Sequence, residues 1–351
     1  MRSPLRDKGC SLGLAVPGVW NGARGGYRCR VQDIDGLNGS LLVKRGSATV
    51  LQVSNGAADT EAGTVCTPDT RFQIASVSKQ FTAAAAMLLV EEGALALRAP
   101  IAEWLPDCPR RWRELTLHQL LTHTSGLGHW WELTGFDVTR PGTAEEFLRL
   151  FAEVPLRTPP GTTWHYSSPG YLLVAQLIEE VSGRRYADFL DERILLPLGM
   201  EATCAGPPPP RGVAHGYQRG RRVDVEAFAA MPGAGDIWST VGDLARYTSA
   251  FNADGVVSPS SRAAMTAAGV PTAGDAGADG PVVIDRYGYG YCLGTLAGRP
   301  ARFHPGDNPG YHSLLAWLPE LDVTLVILCN DEDASVDDAL RQVLPALTPG
   351  P

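Results

Sequence analysis

The chain has 351 residues, 44% of them hydrophobic and 19% charged, with a formal net charge of −8. That length can bury a large core and suits one large or two interleaved domains, and an acidic balance without a basic block excludes nucleic acid, whose binding needs a cationic footprint. No run of 18 apolar residues occurs, which excludes a helical membrane span, and seven scattered cysteines (Cys10, Cys29, Cys66, Cys108, Cys204, Cys292 and Cys329) without a Cys-x-x-Cys pair read as buried thiols in a reducing compartment, not as a disulfide framework.

The first residues, Met1 to Lys8, are basic, and the apolar stretch from Cys10 to Val16 is short, interrupted by Ser11 and Gly13, and stopped by Pro17-Gly18. That is a poor export signal. Residues 1–30 are therefore expected to be a weakly ordered extension, and the protein cytoplasmic. Residues 39–46 and 48–54 read as two strands joined at Gly46-Ser47. The half-apolar run 70–74 then leads into Ala75-Ser76-Val77-Ser78-Lys79-Gln80. The following stretch, Phe81 to Gly93, is rich in Ala and Leu, lacks Pro, and ends on a Gly able to take the left-handed cap.

Residues 100–106 read as a short helical or looped piece. The stretch 115–127 starts helical and breaks at Gly126. An aromatic, Gly-containing loop follows over 128–142, with Trp130, Trp131 and Phe136. Thr143 is placed to cap a helix over 144–152. A turn at 159–162 leads to Trp164-His165-Tyr166-Ser167-Ser168-Pro169-Gly170, and helices are predicted over 171–182 and 186–195. Pro207 to Pro210 forms a stiff linker. Residues 233–240 read as a turn capping a helix over 241–252, and 268–281 as a Gly/Ala/Asp-rich, mobile segment. Four strands are predicted over 287–296, 301–304, 312–318 and 323–330, with Pro305-Gly306 and Pro319-Glu320 as separators, and a last amphipathic helix over 336–344. Strands at both ends around a helical middle, without strand–helix alternation, give an α+β fold. It is an antiparallel sheet of N- and C-terminal strands, flanked by helices, with an inserted helical domain. The α/β part takes 31–95 and 285–351, and the insertion 96–284.

Chemistry centres on Ser76. At a helix start, unpaired N–H groups and the positive dipole end favour an alkoxide. Lys79, three residues on, shares its face. The chain has 27 Arg and only three Lys (Lys8, Lys44 and Lys79). Arg cannot shed its proton near neutral pH, whereas a buried Lys can, so a lysine kept at this position suits a base. Tyr166 can project a phenol into a cleft and, beside a cationic lysine, be partly ionised and act as a base; a lone Tyr is otherwise a core residue. His304-Pro305-Gly306-Asp307-Asn308-Pro309-Gly310 reads as a tight strand-end turn whose N–H groups can face a substrate oxygen. Trp130, Trp131, Trp164 and Trp238 are core residues by default, but their place in loops near these clusters makes one or two of them candidate walls of an acyl pocket, with Trp164 and Trp238 taken as substrate-binding candidates. No Gly-x-Ser-x-Gly, metal-ligand spacing, Gly-x-Gly-x-x-Gly or P-loop is present, so neither metal nor nucleotide cofactor is expected.

In this order the clusters resemble the serine β-lactamase and penicillin-binding-protein superfamily, and within it the class C β-lactamase, D-alanyl-D-alanine carboxypeptidase and esterase family. The resemblance covers about 35–345 and rests on Pro68-Asp69-Thr70-Arg71-Phe72 through Ser76-Val77-Ser78-Lys79, Glu91-Glu92-Gly93-Ala94-Leu95, Leu120-Leu121-Thr122-His123-Thr124-Ser125-Gly126-Leu127, Tyr166-Ser167-Ser168-Pro169-Gly170-Tyr171, Ser239-Thr240-Val241-Gly242-Asp243-Leu244, and His304-Pro305-Gly306 with Pro309-Gly310. It implies that Ser76 is acylated, that Lys79 and Tyr166 share proton transfer, and that backbone N–H groups of Ser76 and Asp307 form the oxyanion hole. His304 stands where many relatives carry the Lys of Lys-Thr-Gly, and Ser168 where Tyr-x-Asn has its Asn. Both departures, with the anion Asp307 beside Gly306, weaken recognition of carboxylate-bearing amides, since His is largely neutral near pH 7.

The expected activity is a serine hydrolase acting on small esters or amides through an acyl-enzyme. The alternative is an acyltransferase that passes the acyl group to an amine or alcohol acceptor, as in natural-product biosynthesis; β-lactamase or carboxypeptidase activity comes third. A catalytically inactive binding module would have no need for Ser76, Lys79 and Tyr166 together.

Overall fold

Gly39–Arg45 and Ala48–Asn55 pair antiparallel across Gly46, whose φ of 55° the tight turn requires, so the predicted hairpin forms. The structure, a computed structural model, describes residues 33–133, 142–223, 231–267, 269–272 and 280–347. The expected N-terminal extension with Cys10 and Cys29, Phe136, and most of 268–281 lie outside the described residues.

The hairpin joins an eight-stranded, fully antiparallel sheet. Its order is Val270–Pro271, Val282–Tyr287, Cys292–Leu296, Arg299–Asn308, Tyr311–Leu318, Val323–Cys329, Gly39–Arg45 and Ala48–Asn55. Val323–Cys329 is buried along its whole length because both faces are covered. Val326 and Leu328 enter a large apolar cluster shared with the helical part. Val323, Leu325, Ile327 and Cys329 enter a second cluster, which the C-terminal helix closes with Leu340 and Val343.

Eight α-helices are described: α1 (Ser78–Glu91), α2 (Leu117–Leu121), α3 (Ala144–Ala152), α4 (Ser168–Ser182), α5 (Tyr186–Leu190), α6 (Val241–Asn252), α7 (Pro259–Ala267) and α8 (Val336–Leu347). α1 is central: every residue from Ser78 to Met87 is buried, which its run of alanines allows by letting neighbours approach on all sides. Gly93 follows it at φ 74°, the left-handed position predicted. Thr143 caps α3 in a full capping box with Glu146. α2 stops at Leu121, earlier than the expected break at Gly126, and His123 adopts a φ of 57°.

Four expectations are corrected. Residues 287–296 are not one strand but the end of one and the start of the next, turned at Gly290. The strands Val270–Pro271 and Val282–Tyr287 extend the sheet into the expected helical insertion. Ile237–Ser239, read as part of a turn, is a strand paired with Phe72–Gln73 and Cys204–Ala205. Most consequentially, His304, Pro305, Gly306 and Asp307 form no turn: they are the second half of the strand Arg299–Asn308, paired from Arg302–Trp317 to Asn308–Tyr311, and the turn falls at Pro309-Gly310. On the other side that strand is paired only as far as Phe303–Cys292. Beyond it the edge is free among the described residues, so Pro305, without an N–H, is tolerated.

Among the described residues no helix is long and apolar enough to cross a membrane. Cys66, Cys108, Cys204, Cys292 and Cys329 are free thiols, three of them buried.

Candidate active site

The free edge of Arg299–Asn308 passes over the start of α1. Ile74 ends the small strand by donating its N–H to Ile237 O. Ala75 then takes a φ of 47°, unusual for a residue with a Cβ, and Ser76 follows in a 3-10 turn that runs into α1. Three side chains hold this bend. Ser313 Oγ donates to Ile74 O at 2.7 Å, and Asn308 Nδ2 donates to Gln73 Oε1 at 2.8 Å and Gly235 O at 3.0 Å. Ser78 Oγ accepts from Ile237 N at 3.2 Å. Gly306 lies so close that a Cβ there would fall 3.0 Å from Ser76 N.

Lys79 is fully buried, with Nζ 3.0 Å from Ser76 Oγ, 3.3 Å from Ser168 Oγ and 2.7 Å from Ala234 O. Burial pushes its pKa down to about 7, against the Cys292 thiol and the Asp236 carboxyl, which favour the ammonium. Tyr166, in the segment ahead of α4, has its ring centroid 5.0 Å from Lys79 Nζ. Burial raises its pKa well above the phenol's ordinary value, opposed by a hydrogen bond with the Ser76 side chain. Burial thus favours the protonated phenol at Tyr166 over the part-ionised one expected, and the neutral amine at Lys79.

His304 faces the same cleft, but both ring nitrogens are engaged. Nδ1 donates to Pro305 O, which leaves Nε2 to accept from Tyr287 Oη at 2.8 Å. Burial, with the Lys79 charge second, pushes its pKa down to about 3, so it is neutral at pH 7. Asp307 points outward, 3.5 Å from His312 Nδ1. Trp164 lies beside Tyr166 and Tyr287, with ring centroids 6.3 Å from each, and lines the cleft. Trp238 does not. It is 1% exposed, packs edge-on against Tyr311, and is held away from the cleft by the pairing of its strand with Gln73.

Sequence reasoning missed His129. Its Nε2 lies 3.0 Å from Ser168 Oγ, and its ring stacks on Trp131 with centroids 3.4 Å apart. Its place in the aromatic loop just after Ser125-Gly126-Leu127 was the available signal. It also missed His123, whose Nδ1 accepts from Ser167 N at 3.1 Å and whose ring packs 4.4 Å from that of Tyr166.

The cleft has a volume of about 750 Å³. Ser76 and Ser168 lie at its floor, Trp130, Trp131 and Trp164 on one side, and Val282, Ile284 and Tyr287 on the sheet side. Its charged lining among the described residues is acidic: Asp307, Glu332 and Asp337, with no Arg or Lys. No group of three or more potential metal ligands occurs among the described residues.

The family model described as Beta-lactamase matches residues 29–348. The chain belongs to the Beta-lactamase family. Membership places it among serine hydrolases. It is 29% identical over 330 residues to a penicillin-binding protein of Bacillus subtilis (strain 168), covering 87% of this chain and 70% of that protein. It is 38% identical over 175 residues to esterase EstB of Burkholderia gladioli, covering 45% of this chain and 44% of the esterase. Among solved structures it is similar to the D-amino acid amidase of Ochrobactrum anthropi SV3 complexed with D-phenylalanine, with a TM-score of 0.77, 26% identity, and 88% and 93% of the two chains covered. A penicillin-binding protein of Bacillus halodurans matches with a TM-score of 0.74 and 25% identity, over 89% and 97% of the two chains. This Beta-lactamase-family chain thus keeps the family's sheet, with Ser168 hydrogen-bonded beneath the cleft and a neutral His304 in its wall.

Proposed function

We propose that the protein hydrolyses small, apolar esters or amides through an acyl-enzyme on Ser76. The observation that carries this reading is the Ser76–Lys79 pair: a hydroxyl 3.0 Å from a buried amine with a pKa of about 7, at the floor of an apolar cleft. In acylation, neutral Lys79 takes the Ser76 proton as Oγ attacks the carbonyl carbon. The protonated Tyr166 phenol is in place to hand a proton to the leaving group, and the Lys79 ammonium, with Nζ 5.0 Å from the Tyr166 ring centroid, then returns one to the phenolate directly. The N–H of Ser76 and that of Asp307, on the unpaired edge above it, receive the oxyanion. Water then attacks the acyl carbon with the proton transfers reversed. The esterase and amidase among its relatives fit this chemistry.

The acidic rim and the absence of Arg and Lys from the lining favour neutral acyl groups over carboxylates. A neutral ester should therefore outcompete its matched carboxylate analogue, and nitrocefin should turn over poorly. Fast nitrocefin turnover would overturn this selectivity. Intact mass after treatment with a fluorophosphonate should show one adduct, on Ser76, and none in Ser76→Ala. An unmodified wild type, or the same adduct in the variant, sinks the acyl-enzyme reading.

The Lys79 pKa also fixes a pH dependence. The folded value lies below the ordinary 10.5, so the amine is neutral above about pH 7 and protonated below it. We expect kcat/KM for a neutral ester to rise with pH through about 7. A profile flat across that region contradicts Lys79 as the base.

The transferase alternative draws on the wall of Trp130, Trp131 and Trp164, a surface suited to excluding water. Adding amine or alcohol acceptors to the acylated enzyme decides it: acyl transfer in competition with hydrolysis supports it, and hydrolysis alone rejects it.

A further inference from the structure

A neutral amine has two N–H donors and one lone pair. Lys79 Nζ has three partners, and one of them, Ala234 O, can only accept. The remaining donor and the lone pair are therefore divided between two hydroxyls, Ser76 at 3.0 Å and Ser168 at 3.3 Å. Either hydroxyl can turn its proton toward Nζ. If Ser76 does so, the lone pair receives the nucleophile's proton and the site is competent. If Ser168 does so, the base is occupied by the wrong hydroxyl. The Asn usual at this position in the family raises no such ambiguity, because a carboxamide oxygen only accepts.

The third group at Ser168 resolves the choice. We propose that His129 is a positioning residue: its Nε2 accepts the Ser168 proton and so reserves the Lys79 lone pair for Ser76. This rests on the reading of Ser76 and Lys79 as nucleophile and base. His129 Nε2 is 3.0 Å from Ser168 Oγ, closer than Lys79 is. The ring cannot swing away, because it is 2% exposed and lies near-parallel between Trp131, at 3.4 Å and 18°, and Tyr166, at 5.5 Å and 16°. With Nε2 accepting, the ring proton sits on Nδ1, which is buried without a hydrogen-bond partner among the described residues, so the Ser168 contact is the ring's one polar bond there. Burial holds the ring neutral, so one of its two nitrogens accepts, and Nε2, the one facing Ser168, is assigned that role. Trp131, 61% exposed at the mouth, acquires a purpose as the cover of this ring.

A double-mutant cycle tests the assignment. His129→Phe frees the Ser168 proton to compete for the amine and should lower kcat/KM about tenfold, the worth of one misdirected hydrogen bond. Ser168→Ala removes only an acceptor of Lys79 and should cost about threefold. In the double variant the competing proton no longer exists, so activity should recover to the Ser168→Ala level. An unaffected His129→Phe, or losses that multiply, overturns the proposal. Nitrogen NMR of the unsubstituted enzyme, labelled at histidine, gives a readout independent of variant folding. A proton on Nδ1 and an unprotonated, accepting Nε2 at His129 are expected; the opposite tautomer overturns the proposal. Failure here is distinct from failure of the acyl-enzyme reading, which shows instead as no fluorophosphonate adduct on wild-type Ser76.

Discussion

Lys79→Arg should lower kcat/KM for a neutral ester by about a thousandfold, within the range that general-base catalysis supplies. The substitution keeps the positive charge and several donors, so Ser76, Ser168 and Ala234 would still find N–H groups nearby. What it removes is the ability to give up a proton, since a guanidinium stays charged at every accessible pH. In the wild type that ability comes from burial: Lys79 has no exposed surface, and its pKa sits at about 7. Arginine is also larger, and a site with no free volume responds to overpacking with about 1–3 kcal/mol of lost stability. Lys79→Met, similar in length and uncharged, separates the effects. It should lose comparable activity while keeping or raising the melting temperature, because no charge remains to be desolvated. Should Lys79→Arg retain more than about a tenth of wild-type kcat/KM, Lys79 is not the base.

Gly306→Ala should reduce kcat about a hundredfold or more, the scale seen when an oxyanion donor is displaced. A Cβ at this position would lie 2.5 Å from Ile74 O and 3.0 Å from Ser76 N, and would also strike Ser313 Oγ. The serine can rotate, but it then abandons its 2.7 Å bond to Ile74 O, one of the ties that hold the bend before Ser76. The other two atoms are backbone and cannot yield cheaply. The strand must back away from α1, and the gap between the Ser76 and Asp307 N–H groups widens. The expected signature is a loss concentrated in kcat, with KM changed little and the circular dichroism of the sheet retained. Wild-type kcat in Gly306→Ala would show that the free strand edge does not shape the oxyanion site.

Sequence alone made some of this legible, and what it revealed was local. The hairpin follows from two strand-like runs broken at Gly46-Ser47, and α3 from the cap residue Thr143. Ser76 and Lys79 share one turn, so their approach needs no knowledge of the fold. His304 to Asp307 looks like a turn in sequence because Pro and Gly usually interrupt strands. The strand survives because its outer side has no partner beyond Phe303 among the described residues, a fact set by where Cys292–Leu296 begins. Trp238 was placed in the pocket by its neighbours in sequence, but pairing with Gln73, far away along the chain, turned it into the core. His129 carried no spacing signal at all. Its partner Ser168 is 39 residues away, and only the packing of the aromatic loop against α4 joins them.

The sheet order has a consequence for how the molecule is made. Gly39–Arg45 is hydrogen-bonded to Val323–Cys329, and Asp35 N donates to Gln342 Oε1 across 307 residues of sequence. During vectorial synthesis the Gly39–Asn55 hairpin leaves the ribosome well before Val323–Cys329, the strand it pairs with. It waits as an unpaired two-stranded ribbon, itself only marginally stable, while nearly the whole polypeptide is elongated. The entropy of that long closure grows only logarithmically with loop length, so the finished protein loses little stability by it. The burden falls on the rate of folding, through high contact order and a strand edge left open to other chains until the last strand arrives.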